Sequence, residues 1–346
     1  MNTEILKSIL TALPMPIVVI DSTGRVIALN GAAGEMFGTA GEGRHYVTVL
    51  RQPEILDCVE ECLRLRRSRK VRYLTSEMTR EVTYDVSAKP CALPDWEGVV
   101  LSFDDISDRQ QAGQIRRDFV ANVSHELKTP LTALLGFIET LKGPARNDEA
   151  ARDRFLSIME REAFRMDRLV RDLLSLSRVE SEERIRPDQR VDVVGLVQSS
   201  IQPLLPLARE AGISVDITGD LSPCEVRGDA DQLTQIFTNL VENAIKYGAK
   251  GTKVTIRITR SERELAFRGP GITIDVIDDG EGIDPMHIPR LTERFYRVDS
   301  HRSREMGGTG LGLAIVKHIV NRHRGRFRIE SAKGQGSRFS VMLPVA

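Results

Sequence analysis

The period of the hydrophobic pattern changes along the chain, and each change marks a different piece of architecture. Over residues 17–37, IVVIDSTGRVIALNGAAGEMF, two short apolar runs flank Asp21, Ser22, Thr23 and Gly24. These are turn-forming residues, so the pattern predicts a β-hairpin followed by a helix. Strand-like stretches at residues 71–74, 82–88 and 99–103 extend this to an antiparallel sheet with short helices, a small α+β module. The module closes at Asp105 and Ile106, where Ser107 with Gln110 three residues on fits a capping box, and a long helix is expected from there.

Within that helix Val120, Val123, Leu127, Pro130, Leu134, Phe137 and Leu141 recur in 3,4 alternation, an apolar seam that packs against partner helices. Gly143 and Pro144 stop the helix and Asn147 is placed to cap the next. There Phe155, Met159, Glu162, Met166, Leu169, Leu173 and Leu176 repeat the alternation with one polar exception. Two such helices make an antiparallel hairpin. A lone hairpin cannot surround its own seam, so the expectation is a four-helix bundle built by two chains around a two-fold axis, a homodimer. With the seam at a and d, His125 falls at f and Thr129 at c, one turn along an exposed face. Pro130 stands inside the helix, where proline removes a backbone donor and costs about 3 kcal/mol unless the bend is wanted.

A charged stretch over residues 177–190 then separates the hairpin from a further domain. Leu233, Ile236, Phe237, Leu240 and Ala244 define one face of a helix, and Asn239, Glu242, Asn243 and Lys246 the other. Carboxamide oxygens suit Mg²⁺ and a lysine suits phosphate, although a polar stripe alone is more often a solvated face. Ile272, Ile274 and Val276 alternate as a strand that ends in Asp278, Asp279, Gly280, Glu281 and Gly282. Finally Gly308, Thr309, Gly310, Leu311 and Gly312 precede LAIVKHIV, so bare backbone amides and a helix N-terminus stand ready for phosphates.

Length and charge narrow the class. At 346 residues the chain exceeds one ordinary core. Its 49 basic and 49 acidic residues cancel, which disfavours a nucleic-acid partner. Residues 13–20 form the longest apolar run near the start, broken by Pro14 and Pro16 and short of the ~20 residues of a membrane span, so a cytoplasmic location is expected. The four cysteines form no CxxC pair, and reduced thiols are the default reading; Cys58 and Cys62 share a helix face without a histidine to complete a zinc set.

In order along the chain, these segments resemble known families. The opening with Asp21, Gly24, Asn30, Ala32 and Ala33 resembles a PAS sensory domain, for which His45 alone is weak ground for a haem. FVANVSHELKTPLTALLGFIETL closely resembles the H-box of histidine kinases. That resemblance makes His125 the phosphoacceptor, Glu126 the base that takes an imidazole proton, and Thr129 a residue that positions water for dephosphorylating the partner. NLVENAIKYG resembles the N-box of the ATPase fold shared by histidine kinases, gyrase, Hsp90 and MutL. It implies ATP and Mg²⁺ as cofactors, with Asn243 the metal ligand, Asn239 and Lys246 beside the phosphates and Tyr247 at the adenine. In the D-x-G-x-G box Asp278 would accept from the adenine amino group and Gly280 and Gly282 would let backbone approach the base. RLTERFYRVD resembles the F-box, with Phe295 and Arg297, followed by an ATP lid over residues 298–307. Gly308, Gly310, Leu311 and Gly312 would meet the phosphates, and Gly334, Gly336 and Ser337 complete the pattern more weakly.

The expected organisation is therefore multidomain α+β: a PAS-like sensor over 1–105, a dimerising phosphotransfer hairpin over 106–183, a linker over 184–189, and an α/β sandwich ATP-binding domain over 190–346. The resemblance implies a sensor histidine kinase of a two-component system that passes phosphate from His125 to an aspartate of a response regulator. By overall pattern it is similar to phosphate-regulon sensor kinases, many of which begin with membrane helices. No such run is visible here, which leaves the stimulus and any peripheral membrane association through another subunit open. Two rival readings are an ATPase of the gyrase and Hsp90 type that never phosphorylates itself, and a PAS-containing scaffold without kinase output.

Overall fold

A computed structural model describes residues 8–77, 80–93, 96–249, 251–298 and 308–346. The chain divides into two compact units, residues 1–121 and 122–346.

The first unit is built on an antiparallel sheet of order β2-β1-β5-β4-β3, with β1 Ile17–Asp21, β2 Val26–Leu29, β3 Arg69–Glu77, β4 Arg80–Leu93 and β5 Trp96–Asp105. Helices α1 (Gly31–Phe37), α2 (Tyr46–Leu50) and α3 (Pro53–Leu65) connect β2 to β3. The turn between β1 and β2 is closed by Asp21, whose Oδ1 accepts the Thr23 hydroxyl at 2.7 Å and the Thr23 and Arg25 amides at 2.9 Å each. Asn30, 3% exposed, is a second node. Its Oδ1 accepts the Ile17 and Ala33 amides, and its Nδ2 donates to the carbonyls of Leu13 and Met15. The residues that carried the PAS resemblance are thus the ones that fasten β1, β2 and α1 together. Cys58 and Cys62 are buried on α3 and join Ile55, Val59, Leu101 and Phe103 in the core, with burial pushing both thiols above their usual range.

Helix α4 runs from Ser107 to Lys142 and α5 from Glu149 to Glu182. Two cap assignments differ from the sequence expectation. Ser107 is already helical, and its hydroxyl accepts the Thr83 amide at 2.9 Å instead of capping the helix. Asp148, not Asn147, caps α5, because its carboxylate reaches the Ala151 amide at 2.9 Å. Along the hairpin only Pro130, Leu169 and Leu176 of the predicted seam are fully buried, while Leu127, Leu134, Phe137, Phe155 and Met166 are half-buried. Leu131, Leu135 and Leu174 are 48%, 54% and 67% exposed, so a single chain leaves the hairpin's apolar surface unfinished.

The remainder of the second unit is a two-layer α/β sandwich. Its sheet has the order β11-β12-β10-β9-β7, formed by β7 Ser214–Gly219, β9 Lys253–Glu264, β10 Gly269–Asp278, β11 Arg326–Ser331 and β12 Ser337–Pro344. A two-stranded ribbon pairs β6 (Arg190–Asp192) with β8 (Glu225–Arg227). Helices α6 (Val193–Ile201), α7 (Leu205–Ala211), α8 (Ala230–Tyr247) and α9 (Gly312–Arg322) complete the layer. Leu233, Ile236, Phe237, Leu240 and Ala244 are all buried, as the periodicity predicts, and so are Ile272, Ile274 and Val276 on β10. Packing the apolar face of α8 inward fixes its polar face outward, toward a cavity. No helix among the described residues is long and apolar enough to cross a membrane.

Candidate functional site

The polar face of α8 is one wall of a cavity of about 820 Å³. Asn239, Glu242, Asn243, Lys246 and Tyr247 all line it. Helix periodicity puts these residues on one side, and Asp229 starts the helix by accepting the Asp231 and Gln232 amides. Asp229 is itself held, since its amide donates to His323 Nε2 at 3.0 Å. Asn239 is anchored weakly to the Gly312 carbonyl at 3.5 Å, and Lys246 pairs with Glu242 at 2.8 Å.

The second wall comes from the end of β10. Asp278 is 5% exposed, faces the cavity, and accepts the Gly280 amide at 2.9 Å. Burial pushes its carboxyl above the usual range, opposed by the Gly280 and Ser337 amides. Gly282 lines the cavity at φ 68°, and a Cβ there would lie 2.0 Å from the Ala332 carbonyl oxygen. The glycine is therefore demanded by the protein's own backbone as well as by any ligand.

The third wall is the glycine loop before α9. Gly308, Gly310 and Gly312 line the cavity, with Thr309 between them. Gly310 has φ 73°, and a Cβ would come within 2.9 Å of the Phe295 backbone, whose amide donates to the Gly310 carbonyl at 2.8 Å. Phe295, itself at φ 64°, thus braces the loop from behind. Gly280, Phe295 and Leu311 are not on the cavity wall; Leu311 is wholly buried and contributes backbone at the entry to α9. Apart from Val298, the lid expected over residues 298–307 lies outside the described residues.

His125 and Thr129 are exposed on α4, as the heptad register predicts, and Thr129 Oγ1 donates to the His125 carbonyl at 3.1 Å. Glu126 next to the histidine is half-buried. Its Oε2 accepts Arg165 Nη2 at 2.9 Å and Arg297 Nη2 at 3.2 Å. Arg297 lines the cavity and is 8% exposed, and its Nε is buried with no hydrogen-bond partner among the described residues. One guanidinium therefore spans the cavity and the acid that follows His125.

Sequence reasoning did not single out several cavity residues. Phe164, Arg168 and Asp172 come from α5, and Tyr296 from the loop before residue 298. Arg168 pairs with Glu242 at 3.1 Å, and Asp172 Oδ2 accepts the Thr309 hydroxyl at 2.7 Å. Nothing in the hairpin's own periodicity marks these positions. The charged end of α5 also has definite partners: Glu182, its last residue, pairs with Arg322 at 2.8 Å and the next residue, Glu183, with His318 Nδ1 at 2.7 Å.

Comparison with known proteins agrees with this geometry. Residues 228–346 match the histidine kinase-, DNA gyrase B- and HSP90-like ATPase family, residues 115–182 the His kinase A phospho-acceptor domain, and residues 4–72 a PAS domain. The phosphate regulon sensor protein PhoR of Pseudomonas aeruginosa is 42% identical over 237 residues, covering 68% of this chain and 52% of that protein. A sensor protein kinase WalK of Staphylococcus aureus is 34% identical over 343 residues, covering 98% of this chain and 80% of that protein. The chain spans about half the length of other curated relatives it matches. Its fold is similar to that of histidine kinase ThkA, solved in complex with response regulator protein TrrA, with a TM-score of 0.55, 21% identity and 98% of each chain covered. An ATPase-type cavity, a phospho-acceptor hairpin and a PAS module in one chain, with relatives matched across nearly its whole length, place this protein in the family of sensor histidine kinases.

Proposed function

We propose that the chain binds ATP with Mg²⁺ in the cavity, transfers the γ-phosphoryl group to His125, and then passes it to an aspartate of a response regulator. The observation that carries this reading is Arg297. Its side chain lines the cavity while its Nη2 holds Glu126, so the cavity and the residue that follows His125 share one side chain.

The donor set fits a nucleotide triphosphate. The Arg297 guanidinium, Lys246 and the backbone amides of Gly308, Gly310 and Gly312 suit phosphate oxygens. The buried Asp278 carboxylate, with two oxygens and several lone pairs, can accept an amino group, and Tyr247 lines the same cavity. Asn243, with Asn239 near, offers hard oxygen to Mg²⁺, which would offset phosphate charge when bound. A cavity of about 820 Å³ is in the range of small-molecule sites.

On this reading the exposed His125 imidazole is the nucleophile. One ring nitrogen attacks phosphorus, the bond to the bridging oxygen breaks, and Glu126 takes the proton from the other nitrogen. The phosphohistidine then donates to the receiver aspartate. Thr129, one turn on, serves a phosphatase activity toward the same partner. Two hairpins pair to cover Leu131, Leu135 and Leu174, giving a homodimer. Four cysteines without a disulfide suit the cytoplasm, where ATP and a regulator are at hand.

Incubation with Mg²⁺ and γ-labelled ATP tests this. Label that survives base and is lost in acid supports a phosphohistidine; acid-stable label, or none, contradicts it.

A further inference from the structure

The proposed reaction gives Asp172 no part, yet it sits at the centre of the cavity's charges. It projects from α5, and its Oδ2 accepts the Thr309 hydroxyl at 2.7 Å. Thr309 Oγ1 in turn accepts the Leu311 amide at 3.3 Å, at the entry to α9. A hairpin carboxylate is thus fastened to the glycine loop at the helix end best suited to an anion.

The surrounding charges do not relieve this. Arg168 and Lys246 face Asp172, but both are shared with Glu242, at 3.1 Å and 2.8 Å. Two carboxylates and two cations leave this part of the wall close to neutral. A polyphosphate arriving there meets cations already engaged and a loop hydroxyl already donating. Burial, with Glu242 adding to it, pushes the Asp172 carboxyl above its usual range, while Thr309, Arg168 and Lys246 hold it down.

Resting on the assignment of the cavity to nucleotide, we infer that Asp172 is a positioning residue that gates nucleotide affinity: while its carboxylate holds Thr309 it opposes a polyphosphate, and nucleotide entry requires α5 to release the glycine loop. Binding and release of the hairpin from that loop are then one coupled event, each favouring the other.

The test compares adenosine, AMP, ADP and a non-hydrolysable ATP analogue by calorimetry on the full chain, wild type and Asp172→Asn. Asparagine keeps an oxygen for Thr309 and removes the charge. The triphosphate should bind about tenfold tighter to the variant, with the gain shrinking as ligand charge falls and vanishing for adenosine. Asp172→Ser, with matched melting curves, repeats the measurement should the asparagine variant fold poorly. No gain for the triphosphate, or an equal gain for adenosine, overturns the gate. Self-labelling on the same preparations keeps the claims apart: a wild type that labels while Asp172→Asn shows no gain defeats the gate alone, and a wild type that binds no nucleotide defeats both.

Discussion

Arg297 reaches across 171 positions of sequence to donate to Glu126 Oε2 at 3.2 Å, and Arg165 holds the same oxygen at 2.9 Å. Both bonds fall on one oxygen, so two guanidiniums orient the carboxylate while its other oxygen lies outside these bonds. The bridge joins the hairpin to the cavity and ties the acid's orientation to Arg297.

A double-mutant cycle reads this bridge. Glu126→Gln should slow self-labelling by about 100-fold or more with little change in nucleotide affinity. Arg297→Met should weaken nucleotide binding about tenfold. In thermal unfolding the two changes should be non-additive, with a coupling of about 1 kcal/mol. Strict additivity would mean that the contact carries no energy.

Much of this architecture is legible in the residue pattern, and where it is not the reason is physical. Leu233, Ile236, Phe237, Leu240 and Ala244 are buried because a 3.6-residue period leaves them no other face, and this alone turns Asn239, Asn243 and Lys246 into the cavity. Exposure of His125 follows the same way from the seam. Cap identity did not follow, because Asn147 and Asp148 are adjacent and chemically alike, and only the loop's path puts Asp148 in reach of Ala151. Asp172 was invisible for another reason. Its meaning comes from Thr309, 137 residues away, and no local spacing encodes a contact between separate elements.

Asn243 lines the cavity from α8, away from the hairpin seam. Asn243→Ala should reduce self-labelling at least about 100-fold while the protein still dimerises by light scattering, because the oxygen proposed to hold Mg²⁺ is lost and the apolar seam is untouched. Unchanged labelling would remove the metal role.

Thr129 is exposed and its hydroxyl back-bonds to the His125 carbonyl, so Thr129→Ala should alter stability by no more than about 0.5 kcal/mol. Self-labelling should persist, and dephosphorylation of the regulator should fall about tenfold. An equal loss of both activities would contradict a separate role for the hydroxyl.

His323 is 1% exposed, donates from Nδ1 to the Ile319 carbonyl at 2.8 Å and accepts the Asp229 amide, so it must be neutral to do both. Burial holds its pKa below the ordinary histidine value, with Arg322 and Arg186 adding to the effect and the Ile319 carbonyl and Asp229 opposing it. The unfolded chain then binds the proton more readily than the folded one. Stability from this site is present above about pH 6.5 and is lost as pH falls toward the lower folded value. The melting temperature should decline below about pH 6.5, and less steeply in His323→Ala, which at neutral pH costs about 1–3 kcal/mol by stranding the Asp229 amide. Parallel pH profiles for the two proteins would exclude this site as the cause.

The central claim is that phosphate reaches one exposed imidazole. Wild type and His125→Gln, matched by melting curve and by nucleotide affinity, should be incubated with γ-labelled ATP and Mg²⁺ and the base-stable label counted. The account predicts label on the wild type and none on the variant, with nucleotide binding equal in both. Label retained by His125→Gln would contradict it.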